Sequence, residues 1–424
     1  MTQANKKHVS KYQDVHHKKF PVGTKGIWVD EKTEGKYSLI NEEISLPAAV
    51  IKQQSINNNL NWMQQFADHH SVKLSPHGKT TMTPAFFEQQ LKAGAWGLTV
   101  ATAPHAEVAA TAGAKHIMMA NQLVGKANMA MIKRLLTQYD VSFYCCVDSQ
   151  ANAEQLSEYF AGSGVTVQVL IEFGVEGGRC GCRTPEQVVS LAQCIDALPG
   201  ITLAGIEVYE GVIHGDNAEQ AIRNFLATTV KTVEQLKENG LIQLDRPIVT
   251  GAGSAWYDVV AESFTDCQHL LAIIRPGCYL IHDTGIYQDA QNNVMARAQT
   301  NQGYACDLGG DLESALEVWA YVISRPEPGK AVIGLGKRDV AFDAGLPIPE
   351  RGYRDGKSIE VGGLEATAIM DQHTFVTVPE GRELHVGDVI AFSTSHPCLT
   401  FDKWKYICIA DEEHQVTSVV ETSF

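Results

Sequence analysis

The sequence predicts a (β/α)8 TIM barrel, an α/β fold, followed by a C-terminal all-β domain. Short apolar runs alternate with longer mixed runs from about residue 47 to residue 288. This alternation is typical of parallel βαβ units, and roughly eight such units over about 250 residues fit a closed barrel. After residue 288 the helical spacing fades and β-like segments continue to the end of the chain. A doubly wound open sheet is the alternative for the first region.

The strand candidates of the first region are short apolar segments that end at Gly, Pro or polar turn residues. They cover residues 47–51, 72–74, 98–101, 116–120, 141–147, 166–171, 203–208, 247–250 and 272–274.

The helix candidates between these strands carry apolar residues three to four positions apart. In the first of them, Ile56, Leu60, Met63 and Phe66 have this spacing, which places them on one helix face. The candidates cover residues 56–66, 84–93, 104–112, 127–137, 154–160, 185–197 and 218–239.

The second region predicts a separate β domain. Its strand candidates cover residues 316–324, 330–334, 365–370, 374–378, 389–393 and 405–410. β-like runs also occur before residue 47. We therefore divide the chain into an N-terminal segment (1–46) that partly joins the β domain, a barrel (47–288) and a C-terminal β domain (289–424).

Composition excludes several classes of protein. A formal net charge of -15 argues against a nucleic-acid partner, because phosphate backbones require clustered Lys and Arg. No apolar run approaches the length of a membrane span, and the polar N-terminus has no signal-peptide core. The ten cysteines are scattered without a CxxC pair, which is typical of free thiols in a reducing compartment. We expect a cytoplasmic protein.

Lys79 is the first candidate for chemistry. It lies in LSPHGKTTMTP, between an early strand and a helix, and the C-terminal ends of barrel strands form the active-site face. A lysine that is partly desolvated there can form a Schiff base. Taken alone, however, a lysine after a strand is more often a surface residue.

A glycine-rich turn is the second candidate. The segment TGAGS (250–254) follows the strand at 247–250, and its N–H groups can converge on one anion. It lacks the pattern of nucleotide-hydrolysing P-loops, so it suits a monophosphate, although an ordinary turn has the same composition. Tyr279, in RPGCY after a later strand, has a hydroxyl that could reach the same phosphate.

His396 and Cys398 are the third candidate. Residues two apart on an extended segment project to the same side, and imidazole and thiolate both bind zinc. Two protein ligands leave coordination positions open, as in a catalytic metal site. An isolated HxC pair is often incidental.

Taken together, these motifs resemble the D-serine dehydratase and D-threonine aldolase group, which are fold-type III pyridoxal phosphate enzymes similar to alanine racemase. The resemblance runs from about residue 20 to the C-terminus. Its segments are SPHGKTTMTPAFFEQQLKAGAWGLTVAT, IEFGVEGGRCGCRTPE, GIEVYEG, TGAGSAWYD, RPGCYLIHD and SHPCLTFDKW. It implies an alanine-racemase-type barrel with a C-terminal β domain.

The resemblance also implies roles for individual residues. Lys79 matches the lysine that binds pyridoxal 5′-phosphate covalently, and Arg179 matches an arginine near the phenolic oxygen of the cofactor. Tyr209 matches the residue that approaches the pyridine ring. The remaining matches are the phosphate-binding turn at Gly251, Gly253 and Ser254 with Tyr279 nearby, and the zinc pair His396 and Cys398.

The implied activity is that of a pyridoxal phosphate- and zinc-dependent D-serine dehydratase. It would eliminate the β-hydroxyl of D-serine, or of a related D-3-hydroxy amino acid, to give a keto acid and ammonia, with Lys79 as the base. The aldolases of this group usually have Asp where this chain has Cys398, which favours dehydration. The alternatives are a D-threonine aldolase, a racemase and a non-catalytic cofactor-binding homeostasis protein, which typically lacks the β domain. The resemblance also implies a homodimer.

Overall fold

The computed structural model describes residues 13–14, 19–28, 32 and 35–424. The remaining residues of the predicted N-terminal segment, including part of the β-like run at 26–30, lie outside this description. Two sheets organise the described chain: a sheet of eight parallel strands and a largely antiparallel sheet of twelve strands.

The N-terminal strands and the first helices of the fold run as follows. Strands β1 (Gln13–Asp14), β2 (Tyr37–Ser38) and β3 (Ala48–Lys52) precede helix α1 (Gln53–His69). The eight parallel strands are β4 (Lys73–Leu74), β5 (Leu98–Val100), β6 (His116–Gln122), β7 (Ser142–Val147), β8 (Val167–Phe173), β9 (Ile201–Val208), β10 (Ile248–Gly251) and β11 (Leu271–Ile274). The helices between and after them are α2 (Pro84–Ala93), α3 (Ala103–Thr111), α4 (Lys126–Gln138), α5 (Gln150–Phe160), α6 (Pro185–Asp196), α7 (Ala218–Glu238), α8 (Tyr257–Phe264) and α9 (Ile286–Asn301).

The parallel strands form a barrel. Their order is β4-β11-β10-β9-β8-β7-β6-β5, so the two end strands of the list are β4 and β5. A parallel bridge between His77 and Thr99 joins the chain after β4 to β5, and the Trp96 N–H donates to the Leu74 carbonyl at 2.8 Å. The predicted barrel is confirmed, and the open-sheet alternative is excluded by this closure.

The other sheet collects strands from both ends of the chain. Its later members are β12 (Leu316–Glu327), β13 (Lys330–Ile333), β14 (Ile348–Arg354), β15 (Lys357–Ile359), β16 (Glu365–Ile369), β17 (Thr374–Thr377), β18 (Val389–Ser393), β19 (Tyr406–Ala410) and β20 (Gln415–Glu421). A four-residue helix, α10 (Cys398–Phe401), lies between β18 and β19. This is the predicted C-terminal β domain.

Strand β3 differs from the prediction in its placement. We predicted a strand at 47–51 as part of the barrel range 47–288, but β3 pairs with β12 antiparallel and with β19 parallel in the twelve-stranded sheet. Residues Ala48–Ile51 are all buried. A short, fully buried apolar run contains no periodicity that distinguishes a barrel strand from a strand of another core.

Helix α9 also differs from the prediction, because helical spacing was expected to fade after residue 288. The helix runs through the predicted boundary between the domains. Only Gln291, Val294 and Ala298 of this helix are buried. The resulting apolar stripe is too narrow to produce a recognisable amphipathic pattern.

The fold has two further general properties. All ten cysteines are free thiols. No helix in the described part of the chain is long and apolar enough to cross a bilayer.

Candidate active site

A cleft opens at the C-terminal ends of the barrel strands. It encloses about 680 Å³ of space between atoms, part of it open to solvent, which is within the size range of small-molecule sites. Segments that follow β4, β8, β9, β10 and β11 all line it. Of the predicted site residues, the cleft brings together Lys79, Arg179, Tyr209, Gly253 and Ser254.

Lys79 extends into this cleft from a 3-10 turn, Gly78–Thr80, that follows β4. The Lys79 N–H donates to the Nδ1 atom of His77 at 3.4 Å. A Cβ atom on Gly78 would lie 2.6 Å from the Phe87 ring, so only glycine lets the turn pack this closely. Thr80 is buried whereas the Lys79 side chain is exposed. The turn therefore presents one amine to the cleft.

The donors for an anion come from two loops. The N–H groups of Gly277 and Cys278 point at Ser254 Oγ, at 3.3 and 3.1 Å. The N–H groups of Ala252 and Gly253 instead donate to the carboxylate of Glu210, at 3.0 and 2.8 Å. Glu210 is fully buried. The glycine-rich turn is thus fixed by an internal carboxylate, and the Ser254 hydroxyl with the Gly277 and Cys278 amides could hold a phosphate.

Gly251 and Tyr279 do not line the cleft. The Tyr279 hydroxyl accepts a hydrogen bond from Gln90 Nε2 at 3.2 Å in the buried interior. A Cβ atom on Gly251 would contact Val208 and Val260. Sequence spacing places both residues at strand ends, but it does not determine the direction in which a side chain points.

Arg179 and Tyr209 face each other across the cleft. The guanidinium carbon of Arg179 lies 4.6 Å from the centre of the Tyr209 ring, within the range of a cation–π contact. The ring also packs on Gly253, where an added Cβ atom would lie 3.1 Å from it. A flat aromatic surface beside a glycine suits the face of a planar ring.

Arg275 and Glu207 form a buried ion pair in the same cleft, which the sequence analysis did not identify. Arg275 Nη2 donates to Glu207 Oε1 and, at 2.9 Å, to the Val208 carbonyl. Arg275 Nε and Glu207 Oε2 have no hydrogen-bond partner among the described residues. Buried polar atoms without partners are rare, and here they leave hydrogen-bonding capacity for a bound molecule. The position of Arg275, directly after a barrel strand, was the signal that could have identified it.

These features fit pyridoxal phosphate. A primary amine, a phosphate cradle and a flat ring surface converge on one cleft. The buried guanidinium adds a polar contact for a ring atom.

A buried cluster lies beside the ion pair. The ligand atoms of Cys146, Glu172 and Glu207 all lie within 4.8 Å of one another. The same Glu207 is neutralised by Arg275, whose positive charge disfavours a divalent cation. Burial, together with the charge of Glu207, raises the pKa of Glu172 to about 7. We interpret the cluster as a carboxyl–carboxylate pair that supports Arg275.

The raised pKa of Glu172 makes stability depend on pH. The folded protein binds a proton at Glu172 up to a pH of about 7, whereas the unfolded chain releases it near its ordinary value of 4.5. Stability from this group is therefore present in acid and is lost as the pH rises through about 7. We expect Glu172→Gln to raise the melting temperature relative to wild type more at a pH of about 8 than at about 5. Thermal unfolding of both proteins across that range tests this, and a pH-independent difference would contradict it.

His396 and Cys398 do not line the cleft, but Cys398 lies next to it, because its sulfur is 3.5 Å from the sulfur of Cys278, which lines the cleft. His396 Nδ1 is 2.7 Å from Asp343 Oδ2, and the imidazole also hydrogen-bonds to Cys398, so a metal could replace the proton between the ring and the thiol. The hydrogen bond to Cys398, reinforced by Asp343, raises the pKa of His396 to about 9. Hydrogen bonds from Cys278 and His396 lower the pKa of the Cys398 thiol to about 5. A thiolate beside an imidazole that a carboxylate orients is a donor set suited to zinc.

The lysine turn and the metal pair are in contact. Cys398 Sγ lies 3.5 Å from Thr80 Oγ1, although the two residues are 318 positions apart. Thr80 directly follows Lys79. The two predicted halves of the site therefore share one location.

Two family models match the chain. The alanine racemase N-terminal domain matches residues 51–284, which is more than half of the chain, and the putative serine dehydratase domain matches residues 315–410. The D-threonine aldolase of Arthrobacter sp. is 28% identical over 364 residues, covering 85% of this chain and 87% of that protein. The D-threo-3-hydroxyaspartate dehydratase of Delftia sp. strain HT23 is 29% identical over 329 residues, covering 76% and 79%.

Solved structures of the same two kinds of enzyme have the same fold as this chain. The D-threonine aldolase from Filomicrobium marinum has a TM-score of 0.75 at 23% identity and covers 92% of this chain and 97% of its own. D-threo-3-hydroxyaspartate dehydratase has been solved as a histidine-to-alanine variant and as a cysteine-to-alanine variant in the metal-free form. Their TM-scores are 0.71 and 0.69 at 20% and 21% identity, and they cover 91% and 89% of this chain and 96% and 97% of their own. The two substituted positions are two residues apart. The chain therefore has an alanine racemase N-terminal domain followed by a putative serine dehydratase domain, and it belongs to the D-threonine aldolase/D-threo-3-hydroxyaspartate dehydratase family.

Proposed function

We propose that this protein is a pyridoxal phosphate- and metal-dependent lyase that dehydrates D-serine or a related small D-3-hydroxy amino acid. The contact between the lysine turn and the metal pair, through Thr80 and Cys398 at 3.5 Å, is the observation that carries the proposal. It allows one small substrate to reach both the Lys79 amine and the His396–Cys398 pair.

The chain's own residues supply a place for each part of the cofactor. Lys79 provides the amine for covalent attachment, and the Ser254 hydroxyl with the Gly277 and Cys278 amides would hold the phosphate. The free Arg275 N–H is available to a ring atom. Bound pyridoxal phosphate supplies an electron sink that makes the α proton of an attached amino acid acidic.

Proton transfer at Cα falls to Lys79. It is the predicted base, and it lies on a short turn that lines the same cleft as Ser254, Gly277 and Cys278. Burial beside Lys79 and Arg275 keeps the pKa of His77 well below its ordinary value. The His77 imidazole is therefore neutral and does not add a second positive charge beside the lysine amine.

A metal at His396 and Cys398 would assist departure of the β-hydroxyl group. Hydroxide leaves poorly, and a divalent cation held by His396 and Cys398 would stabilise negative charge on the departing β-oxygen. The two substituted positions in the dehydratase variants have the same spacing and residue types as His396 and Cys398, and one of those variants is metal-free. This likeness supports a metal at the pair and favours dehydration.

A retro-aldol reaction is the second candidate. The D-threonine aldolase of Arthrobacter sp. aligns over more of this chain than the dehydratase does. This wider alignment is compatible with cleavage of the Cα–Cβ bond to glycine and an aldehyde.

Products distinguish the two reactions. Purified holoenzyme is incubated with D-serine, D-threonine and D-threo-3-hydroxyaspartate, each with and without a chelator, and keto acid, ammonia and glycine are measured together. We expect keto acid and ammonia in equal amounts, no glycine, and a large loss of turnover with chelator. Glycine plus aldehyde as the main products would replace dehydration by the aldolase reaction.

A further inference from the structure

We infer that Cys278 is a third protein ligand of the metal, so that the site is a Cys2His zinc site. This inference rests on the proposed function, because it assumes a metal at His396 and Cys398. Cys278 begins the 3-10 turn Cys278–Leu280 that follows the last barrel strand, 120 positions before Cys398. Its sulfur nevertheless lies 3.5 Å from the Cys398 sulfur.

The distance between the sulfurs suits shared coordination. Two thiolates bound to one tetrahedral zinc ion, with bonds of about 2.3 Å, lie about 3.8 Å apart. The two sulfurs need to separate by only a few tenths of an ångström to reach this spacing. Cys278 is 4% exposed, so its sulfur is confined to this position by the surrounding packing.

Coordination chemistry favours a third ligand. Catalytic zinc sites keep three protein ligands and one open position for water or substrate, and a set of two Cys and one His is one of the established combinations. His396 and Cys398 alone would leave two positions to solvent. Adding Cys278 completes the set of three, and the two thiolates balance the charge of the ion.

The surroundings of the two sulfurs are polar on the lysine side. Thr80 Oγ1 lies 3.6 Å from Cys278 Sγ and 3.5 Å from Cys398 Sγ. The Tyr287 hydroxyl also hydrogen-bonds to Cys278. Hydroxyl donors of this kind orient metal-bound thiolates, so the two sulfurs lie in a shell built for ligands rather than in an apolar core.

Metal binding requires a shift of His396. The imidazole hydrogen-bonds to Cys398, but the ligand atoms of His396, Cys278 and Cys398 do not all lie within 4.8 Å of one another. The imidazole must move toward Cys278 for the three to share an ion. Asp343 holds Nδ1 and keeps Nε2 as the atom that moves in.

The third ligand makes the site more selective for zinc. One imidazole with two thiolates is a soft set that selects zinc over magnesium or manganese, which favour oxygen ligands. The holoenzyme should therefore retain zinc against a large excess of either of those ions.

X-ray absorption at the zinc edge tests the inference without reference to turnover. Holoenzyme, Cys278→Ser, Cys398→Ser and, as a matched control, Cys408→Ser are loaded with one equivalent of zinc. Cys408 is a buried thiol whose sulfur contacts the Gly26 carbonyl, away from the cleft. We expect two sulfurs at about 2.3 Å in holoenzyme and in Cys408→Ser, and one in each of the other variants. Zinc affinity, measured by competition with a chromophoric chelator, should fall at least roughly tenfold in Cys278→Ser.

The outcomes separate the two proposals. One sulfur in holoenzyme that disappears in Cys398→Ser and is unchanged in Cys278→Ser overturns the third ligand and leaves the proposed metal pair. A zinc shell without sulfur, or one that Cys398→Ser does not alter, overturns both. Bound cofactor absorbance and circular dichroism show that each variant is folded.

Discussion

Replacing Lys79 by alanine is expected to abolish the covalent link to pyridoxal phosphate and with it nearly all turnover. Lys79 provides the amine that the turn Gly78–Thr80 presents to the cleft, and it serves as both attachment point and base in the proposed reaction. Loss of a general base alone typically costs about a hundredfold to ten-thousandfold in rate. We therefore expect a decrease of at least about a thousandfold, together with loss of the absorption band of the attached cofactor.

Borohydride reduction followed by peptide mass mapping checks the attachment site. In wild-type protein the reduced cofactor mass should be found on the peptide that contains Lys79, and in Lys79→Ala it should be absent. Lys92→Ala, a substitution on the exposed side of α2, serves as the control and should keep the label. Label on another lysine, or an unchanged spectrum in Lys79→Ala, would remove this residue from the mechanism.

Replacing either member of the metal pair gives the second large effect. We expect His396→Ala and Cys398→Ala to lose the metal and to reduce turnover at least about a hundredfold, because the leaving hydroxide is then unassisted. Pyridoxal phosphate should remain bound, since the proposed phosphate cradle is built from Ser254, Gly277 and Cys278. Metal content by mass spectrometry and cofactor absorbance are measured on the same samples.

Replacing Asp343 is expected to have an effect on metal binding between that of wild type and that of the His396 variant. Asp343 holds His396 Nδ1 at 2.7 Å and is not one of the proposed ligands. Losing such a partner typically lowers metal affinity by about ten- to a hundredfold, so Asp343→Asn should weaken metal binding while the His396 variant abolishes it. The exposed His373 is the control, and His373→Ala should behave as wild type. Full activity in metal-free protein would exclude a catalytic role for the pair.

Most barrel elements could be predicted because local patterns and caps specify them. Helix α2 begins at Pro84, directly after Thr83, and ends before Gly94, which has a positive φ. Residue types of this kind mark the start and the end of a helix in the sequence itself. Strand β18 was likewise predicted with its observed bounds. The predicted fold class and the resemblance to the alanine racemase-like group are both confirmed.

Features that depend on long-range packing could not be predicted. Three contacts in the site join residues from different parts of the chain. Thr80 contacts Cys398, Glu210 accepts hydrogen bonds from two amides of the glycine-rich turn, and Arg275 pairs with Glu207. Local periodicity contains no information about such partners. The direction in which Tyr279 points was missed for the same reason. The domain boundaries, the homodimer and the cytoplasmic location stay predictions.

Anomalous diffraction at the zinc edge from crystals of the holoenzyme would locate the cofactor and the metal in one experiment. We predict continuous density from Lys79 Nζ to a cofactor whose phosphate contacts Ser254, Gly277 and Cys278. We also predict one zinc peak bound by His396 and Cys398, with Cys278 as the inferred third ligand. An unmodified Lys79, or a zinc peak only at the buried Cys146, Glu172 and Glu207 cluster, would contradict these predictions.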